Sequence, residues 1–331
     1  MKINREMFDK DVLKNKKPVL LKAQLEHWPL VINAKQSHQH FLALIKTFDI
    51  GEVVDCVIQD PIHKGRIFYN SSMTGFNFEH KKIKLTDALV KLSQWHGTQT
   101  SPSFAIQSAP ILHTLPKMLE EHTIDLIDPN VIPRIWLGTD AIVPAHYDNA
   151  ENLACVISGK RRFTLFPPEQ IENLYIGPID FAPTGAAISL VDFNQPDFER
   201  FPKFKEALSH AQVFELEPGD VLYIPSMWWH HVESYGQLNT LVNYWWGGTV
   251  GLNDNPHGPY DTLLHGLLTI KSLPKEEKKA WQALFNFYLF EDNDAFEHIP
   301  EQVKGILGKL SPQKRAQLAN WLIQQLKHEL K

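Results

Sequence analysis

Along the middle of the chain, apolar residues come in short runs separated by turn residues, whereas towards both ends they recur at helical spacing. Between 131 and 250, Leu153–Ile157, the turn Ser158-Gly159-Lys160 and Arg161–Phe166 predict a hairpin closed by Pro167-Pro168. Val213–Leu216, the turn Glu217–Asp220 and Val221–Ile224 predict a second hairpin. Leu238–Trp246 predicts a further strand ended by Gly247-Gly248. Several short strands at this spacing predict a mainly β core, a sandwich or barrel. Residues 176–210, rich in Pro, Asp and aromatics, read as a long structured insertion between the hairpins.

Towards the N-terminus, Lys17–Lys22 predicts a short strand. Ser37–Lys46 predicts a helix with Ser37 as its N-cap, and Thr86–Leu92 another short helix. From 255 to 331 the pattern is helical. Trp281, Leu284, Phe285, Tyr288 and Leu289 fall on one face, with Pro274 near the start and Glu276 and Glu277 in the first turn, where the helix dipole favours acids. A last helix starts at Ser311-Pro312 and carries Leu318, Leu322, Leu326 and Leu330 as a stripe, with Trp321 beside it. Such faces must be buried, either on the β core or in a homodimer interface. The expected division is an α/β flank over 1–125, a β core over 126–250 and a helical region over 251–331.

Composition narrows the function classes. The chain has 331 residues, 43% hydrophobic and 21% charged, with a net charge of -5, an ordinary globular balance that offers no broad basic field for nucleic acid. Its two cysteines, Cys56 and Cys155, do not suggest a disulfide framework and suit a reducing, cytoplasmic compartment. The first ten residues lack an apolar h-region, and no apolar run is long enough for a membrane span. There is no Gly-x-Ser-x-Gly elbow and no Gly-rich phosphate loop.

The candidate chemistry lies in the β region. In a strand, residues two apart share a face, so His146 and Asp148 can reach one metal together. The third ligand must come from a neighbouring strand. His230 and His231 are adjacent, so only one can face inward. The face of Trp228, His230 and Val232 is more apolar than that of Trp229, His231 and Glu233, which favours His230. His231 would then point the other way, paired with Glu233 or a backbone group. Two imidazoles and one carboxylate form the ligand set of a non-haem Fe(II) oxygenase with open positions. His38 and His40 lack the spacing of a helical metal pair and read as solvated polar residues.

The segments Pro144–Asp148, Asn152, Phe166–Gln170, Val191–Pro202 and Gly219–Ser234 occur in an order that resembles the jumonji-C/cupin-like Fe(II)/2-oxoglutarate-dependent hydroxylases, most nearly the asparaginyl hydroxylase pattern among them. Pro18–Leu21 with Trp28-Pro29 is similar to the N-terminal flank of that family. The resemblance implies a double-stranded β-helix, a jelly-roll of the cupin-like/JmjC kind; the C-terminal helical region, read from its apolar faces, is expected to dimerise. It implies Fe(II) held by His146, Asp148 and His230, 2-oxoglutarate as co-substrate, and O2 as oxidant. Retention of Asp148 favours hydroxylation over halogenation, in which a halide needs the carboxylate's place.

The far carboxylate of 2-oxoglutarate needs a cation. The family's Lys, fifteen positions after the first ligand, corresponds to Arg161 here, which an arginine can replace because it binds a carboxylate bidentately and stays charged when buried. The alternative for Arg161 is a solvated hairpin tip shared with Lys160 and Arg162. Asn152 and Asn243 match asparagines lining the co-substrate and iron region. Gln107 and Trp245 match positions on the substrate side, although Trp245 equally suits an ordinary core tryptophan. Val143 and Ala105 depart from the pattern, standing where the asparaginyl hydroxylase carries a Thr and a Tyr whose hydroxyls bind the co-substrate. The expected activity is hydroxylation of a protein or peptide side chain, with succinate and CO2 as co-products. The alternatives are the same chemistry on a small molecule, or a non-catalytic metal-binding module.

Overall fold

The computed structural model of the chain describes residues 2–95, 101–248, 258–291 and 296–328. It divides into two units, 1–252 and 253–331. The first unit carries ten strands: β1 (Val19–Leu21), β2 (Val53–Gln59), β3 (Glu79–Lys84), β4 (Ser103–Pro110), β5 (Arg134–Gly138), β6 (Ala141–His146), β7 (Glu151–Phe166), β8 (Gln212–Leu216), β9 (Val221–Ile224) and β10 (Trp229–Trp246). All pairings between them are antiparallel, in the order β1-β9-β7-β10-β5-β4-β2-β3, with β6 added to β10 and β8 added to β7. This is the jelly-roll core of a cupin-like fold.

The two long strands organise it. Residues 151–158 of β7 pair with 240–246 of β10, and 160–166 pair with 229–235. At the join, Lys160 faces Tyr235 and Ser158 faces Thr240, so 236–239 lie opposite Gly159 alone. Gly159 (φ +71) and Gly236 (φ +107) both occupy the left-handed region that glycine tolerates. Both strands therefore bend at one level and pass from one sheet into the other. One sheet holds β9, β5 and the N-terminal strands, and the other holds β6 and β8.

Both expected hairpins are corrected by this arrangement. Residues 153–166 form one bent strand whose halves pair with the two halves of β10, not with each other. The turn at Glu217–Asp220 is present, with Asp220 N–H donating to Glu217 O at 3.0 Å. But β8 and β9 pair with opposite halves of β7, because the bend carries those halves into different sheets.

Strand alternation then distributes burial. Leu153, Cys155 and Ile157 point outward into a core shared with Trp28, Leu30, Phe41 and Ile45. Trp28 is held by its Nε1–H donating to Thr123 O at 3.1 Å, and Pro29 opens the helix Pro29–Gln36. Ser37 caps the helix His38–Phe48 by accepting from His40 N–H at 3.2 Å. Ala154, Val156, Phe163 and Leu165 point into the barrel with Leu222, Ile224, Val232 and Leu241. Phe166 and Trp229 face a third core built by the insertion, with Val191, Phe201 and Phe204. Only a short helix, Phe204–Ser209, interrupts the irregular backbone of that insertion.

The second unit contains the helices Pro259–Thr269, Lys275–Phe285 and Pro312–His328. Trp281, Leu284, Tyr288 and Leu289 are exposed, as are Trp321, Leu322 and Leu326. Leu330, the end of the expected stripe, lies outside the described residues.

A methyl group on Gly159 would sit 2.0 Å from Asn239 Oδ1 and 2.9 Å from Tyr235 O, in a backbone conformation that strains any L side chain. Gly159→Ala is expected to cost about 2–4 kcal/mol. Urea unfolding would show this as a lower midpoint with an unchanged m-value.

Candidate metal centre

β6 ends at His146, and the register places His146 directly opposite His230 of β10, with Asp148 just beyond the strand end. A ligand atom of each of His146, Asp148 and His230 lies within 4.8 Å of the others, the one such His/Cys/Asp/Glu grouping found among the described residues. His230 Nε2 stands 3.6 Å from Asp148 Oδ2, and the two imidazole centroids are 4.2 Å apart. Meanwhile Nδ1 of His146 bonds Pro144 O at 2.9 Å, and Nδ1 of His230 bonds Trp228 O at 3.0 Å. A carbonyl can only accept, so both Nδ1 atoms carry the proton and both Nε2 lone pairs point at the shared space. That is the orientation a metal requires of histidine. Burial, chiefly, and the neighbouring His230 lower the pKa of His146, which favours its neutral, ligating form.

His231 lies on the opposite face, as alternation requires. The expected partner is corrected: neither ring nitrogen has a hydrogen-bond partner among the described residues. The ring instead stacks on Phe193 of the insertion at 4.2 Å, with an interplanar angle of 21°. Burial, chiefly, pushes its pKa down to about 3, so it is a neutral aromatic plug between β10 and the insertion.

Behind the triad, Asn243 Nδ2–H donates to Asn152 Oδ1 at 2.7 Å, joining β10 to β7 at the metal end of the barrel. Arg161 shares a strand face with Phe163 and Leu165 of the interior. Its Nε is buried without a hydrogen-bond partner among the described residues, and burial pushes the guanidinium down to about 10. Its sequence neighbours point away into surface ion pairs, Lys160 with Glu217 at 2.8 Å and Arg162 with Glu215 at 3.3 Å. Arg161 is thus a cation within the barrel, not part of a solvated tip. Trp245 Nε1 is likewise buried and unpartnered, and Gln107 lies on the β4 face turned away from the outer core, half-buried.

The donor set fits a divalent metal with open positions, and an uncompensated cation deeper in the same barrel fits a ligand with a remote carboxylate. Sequence reasoning missed Trp136, whose Nε1 is buried and unpartnered and whose ring meets Trp245 edge-on at 6.2 Å. Its signal was present, since Ile135 and Leu137 alternate with it and belong to the outer core.

The Cupin-like domain family profile matches residues 4–250. Among curated proteins, the chain is 37% identical over 113 residues to human HSPB1-associated protein 1, covering 34% of this chain and 22% of that one. It is 30% identical over 174 residues to JmjC domain-containing protein F of Dictyostelium discoideum, covering 45% and 36%. It is 33% identical over 112 residues to Lysine-specific demethylase JMJ31 of Arabidopsis thaliana, covering 34% and 20%. The chain therefore spans well under half the length of each of these relatives. Among the described residues, no helix is long and apolar enough to cross a membrane.

Removal of a ligand should cost more than the roughly 10- to 100-fold that loss of a supporting partner costs a metal site. Titration with Co(II) or Mn(II) is expected to show affinity falling at least about 100-fold in His146→Ala, Asp148→Ala and His230→Ala. His231→Ala should bind within a few-fold of wild type.

Proposed function

This chain belongs to the Cupin-like domain family, and on that premise we propose that it is an Fe(II)- and 2-oxoglutarate-dependent dioxygenase of the JmjC kind that hydroxylates a side chain of a protein or peptide. The observation that carries the reading is the combination, within one barrel, of two Nε2 lone pairs and a carboxylate at the mouth with an uncompensated buried arginine further in. A purely structural metal site would need the first and leave the second unexplained. Bound there, Fe(II) and 2-oxoglutarate supply oxidation of a C–H bond by O2, with succinate and CO2 as co-products.

The chain's own residues then have separable tasks. His146 and His230 are held in one tautomer by backbone carbonyls, and Asp148 contributes the negative charge. Arg161 binds the far carboxylate of the co-substrate. Asn152 and Asn243 hold its near end, their mutual hydrogen bond fixing both amides. Val143, Val232, Phe163 and Leu241 wall the interior and keep water from the reacting groups. Gln107 and Trp245 face the substrate side. The two free, buried thiols suit a reducing, cytoplasmic setting.

We read an open groove of about 440 Å³ beside the site as room for the backbone that flanks a reacting side chain. Lys16, Glu151, Pro168, Met227 and Trp228 are among its lining residues. None of the three metal ligands lines it, but Met227 N–H donates to Asp148 O at 2.9 Å, so the groove abuts the metal end. The name of the Arabidopsis relative brings in a second reading, oxidation of an N-methyl group.

Incubation of the iron-loaded chain with 2-oxoglutarate, O2 and a peptide library should yield succinate and a peptide carrying one additional oxygen atom. Loss of a methyl group would favour the second reading. Succinate formation undiminished in Asp148→Ala or His230→Ala would overturn the assignment. Arg161→Met should raise KM for 2-oxoglutarate by about 100-fold, the scale of losing a charged pair in a buried site.

We also propose that the apolar residues Trp281, Leu284, Trp321, Leu322 and Leu326, exposed in the single chain, meet a second copy. Sedimentation should give a dimer for wild type and a monomer for the double variant Leu322→Glu/Leu326→Glu. A monomeric wild type at micromolar concentration would remove this proposal.

A further inference from the structure

Three buried nitrogens inside the barrel have no hydrogen-bond partner among the described residues: Trp245 Nε1, Trp136 Nε1 and Arg161 Nε. Buried donors are nearly always satisfied, so three in one interior point to a ligand with several acceptor oxygens. Their depths differ. Trp245 lies beside Asn152, at the metal end. Trp136 lies beside Leu241, which lies beside Val156, two steps further in. Arg161 lies beside Ser234, four residues along β10 from His230, or about 13 Å of strand. By register Trp136 lies at the level of Val156, three residues before the bend at Gly159, and Arg161 lies two residues after it, so both stand towards the bend and away from the metal end.

The surroundings of Trp136 explain why an indole fits there. Gly138 shares its strand face and is paired with Ala105 of β4. A Cβ on Gly138 would sit 2.8 Å from Ala105 Cβ and 2.4 Å from Phe104 O, so this pair is held small. The space beside a large ring is thus left by Ala105, and Val143, the other position lacking a hydroxyl, packs as an apolar wall. Ala105 and Val143 carry no hydrogen-bonding group, and the indole N–H of Trp136 stands beside them.

We infer that the indole N–H of Trp136 is the second donor, beside Arg161, to the far carboxylate of a 2-oxo diacid. This rests on the co-substrate reading given above. Trp136 is then a determinant of co-substrate chain length. A 2-oxo acid without a far carboxylate gains nothing from it.

The test uses the full chain loaded with Zn(II), which binds without turnover. Calorimetry should show Trp136→Phe weakening 2-oxoglutarate by about tenfold or more, the scale of removing one donor from a charged acceptor, while pyruvate binding stays within about twofold. Equal affinity of wild type and Trp136→Phe for 2-oxoglutarate overturns this inference and leaves the co-substrate reading intact. Failure of wild type to bind 2-oxoglutarate overturns both. Should the variant not fold, the indole N–H region of the wild-type NMR spectrum decides. One indole line should move downfield with 2-oxoglutarate and stay in place with pyruvate. The absence of any such line counts against the inference.

Discussion

The register between β6 and β10 is the constraint on which the site depends. His230 stands opposite His146, and alternation makes that single pairing decide which of two adjacent histidines faces the barrel. A slip of one residue would bring His231 inward and send His230 to the insertion. The structure opposes the slip from both sides. Val232 and Leu241 need the apolar interior, while Trp229 and His231 are packed by Phe166, Phe193 and neighbouring residues of the insertion. The long insertion therefore acts on the metal site at one remove, by burying the face that must not turn inward.

The bend at Gly159 and Gly236 gives the same register a second consequence. It carries β7 and β10 through both sheets, so one strand brings Asn152 to the metal end and Arg161 towards the closed end. Cation and metal ligands are thus spaced along strands of fixed rise, and their separation is set by backbone geometry and not by loops. This is a stable way to present a ligand with two unlike ends, a metal-binding group and a remote carboxylate. It also accounts for a buried cation, Arg161, that forms no ion pair among the described residues, a costly arrangement without a ligand of opposite charge.

Much of this was legible from residue pattern. The inward position of His230 and the β character of 131–250 followed from alternation and composition, whereas Asp148 joins His146 from just beyond the strand end and not by sharing a strand face. The Ser37 cap and the C-terminal helices followed from local helix chemistry. What was not legible was pairing. Ser158-Gly159-Lys160 has the composition of a hairpin turn, and only long-range partners reveal that the chain runs straight on through a bend. The same holds for β8 and β9, whose connecting turn is real but whose strands part. His231 was expected to find a polar partner, and an aromatic stack on Phe193 took that place because the insertion supplies rings there, 38 positions earlier in sequence. Alternation with Ile135 and Leu137 placed Trp136 on the inner face, but sequence carries no sign of whether an indole N–H there has a partner.

The central claim is that metal and 2-oxo diacid share this barrel. Equilibrium dialysis of 2-oxoglutarate against the chain, with and without Fe(II) and in the absence of oxygen, tests it most directly. The account predicts about one 2-oxoglutarate per chain, tight only when metal is bound, and lost in Arg161→Met while metal binding persists. A chain that binds iron at His146, Asp148 and His230 yet takes up no 2-oxoglutarate would contradict it.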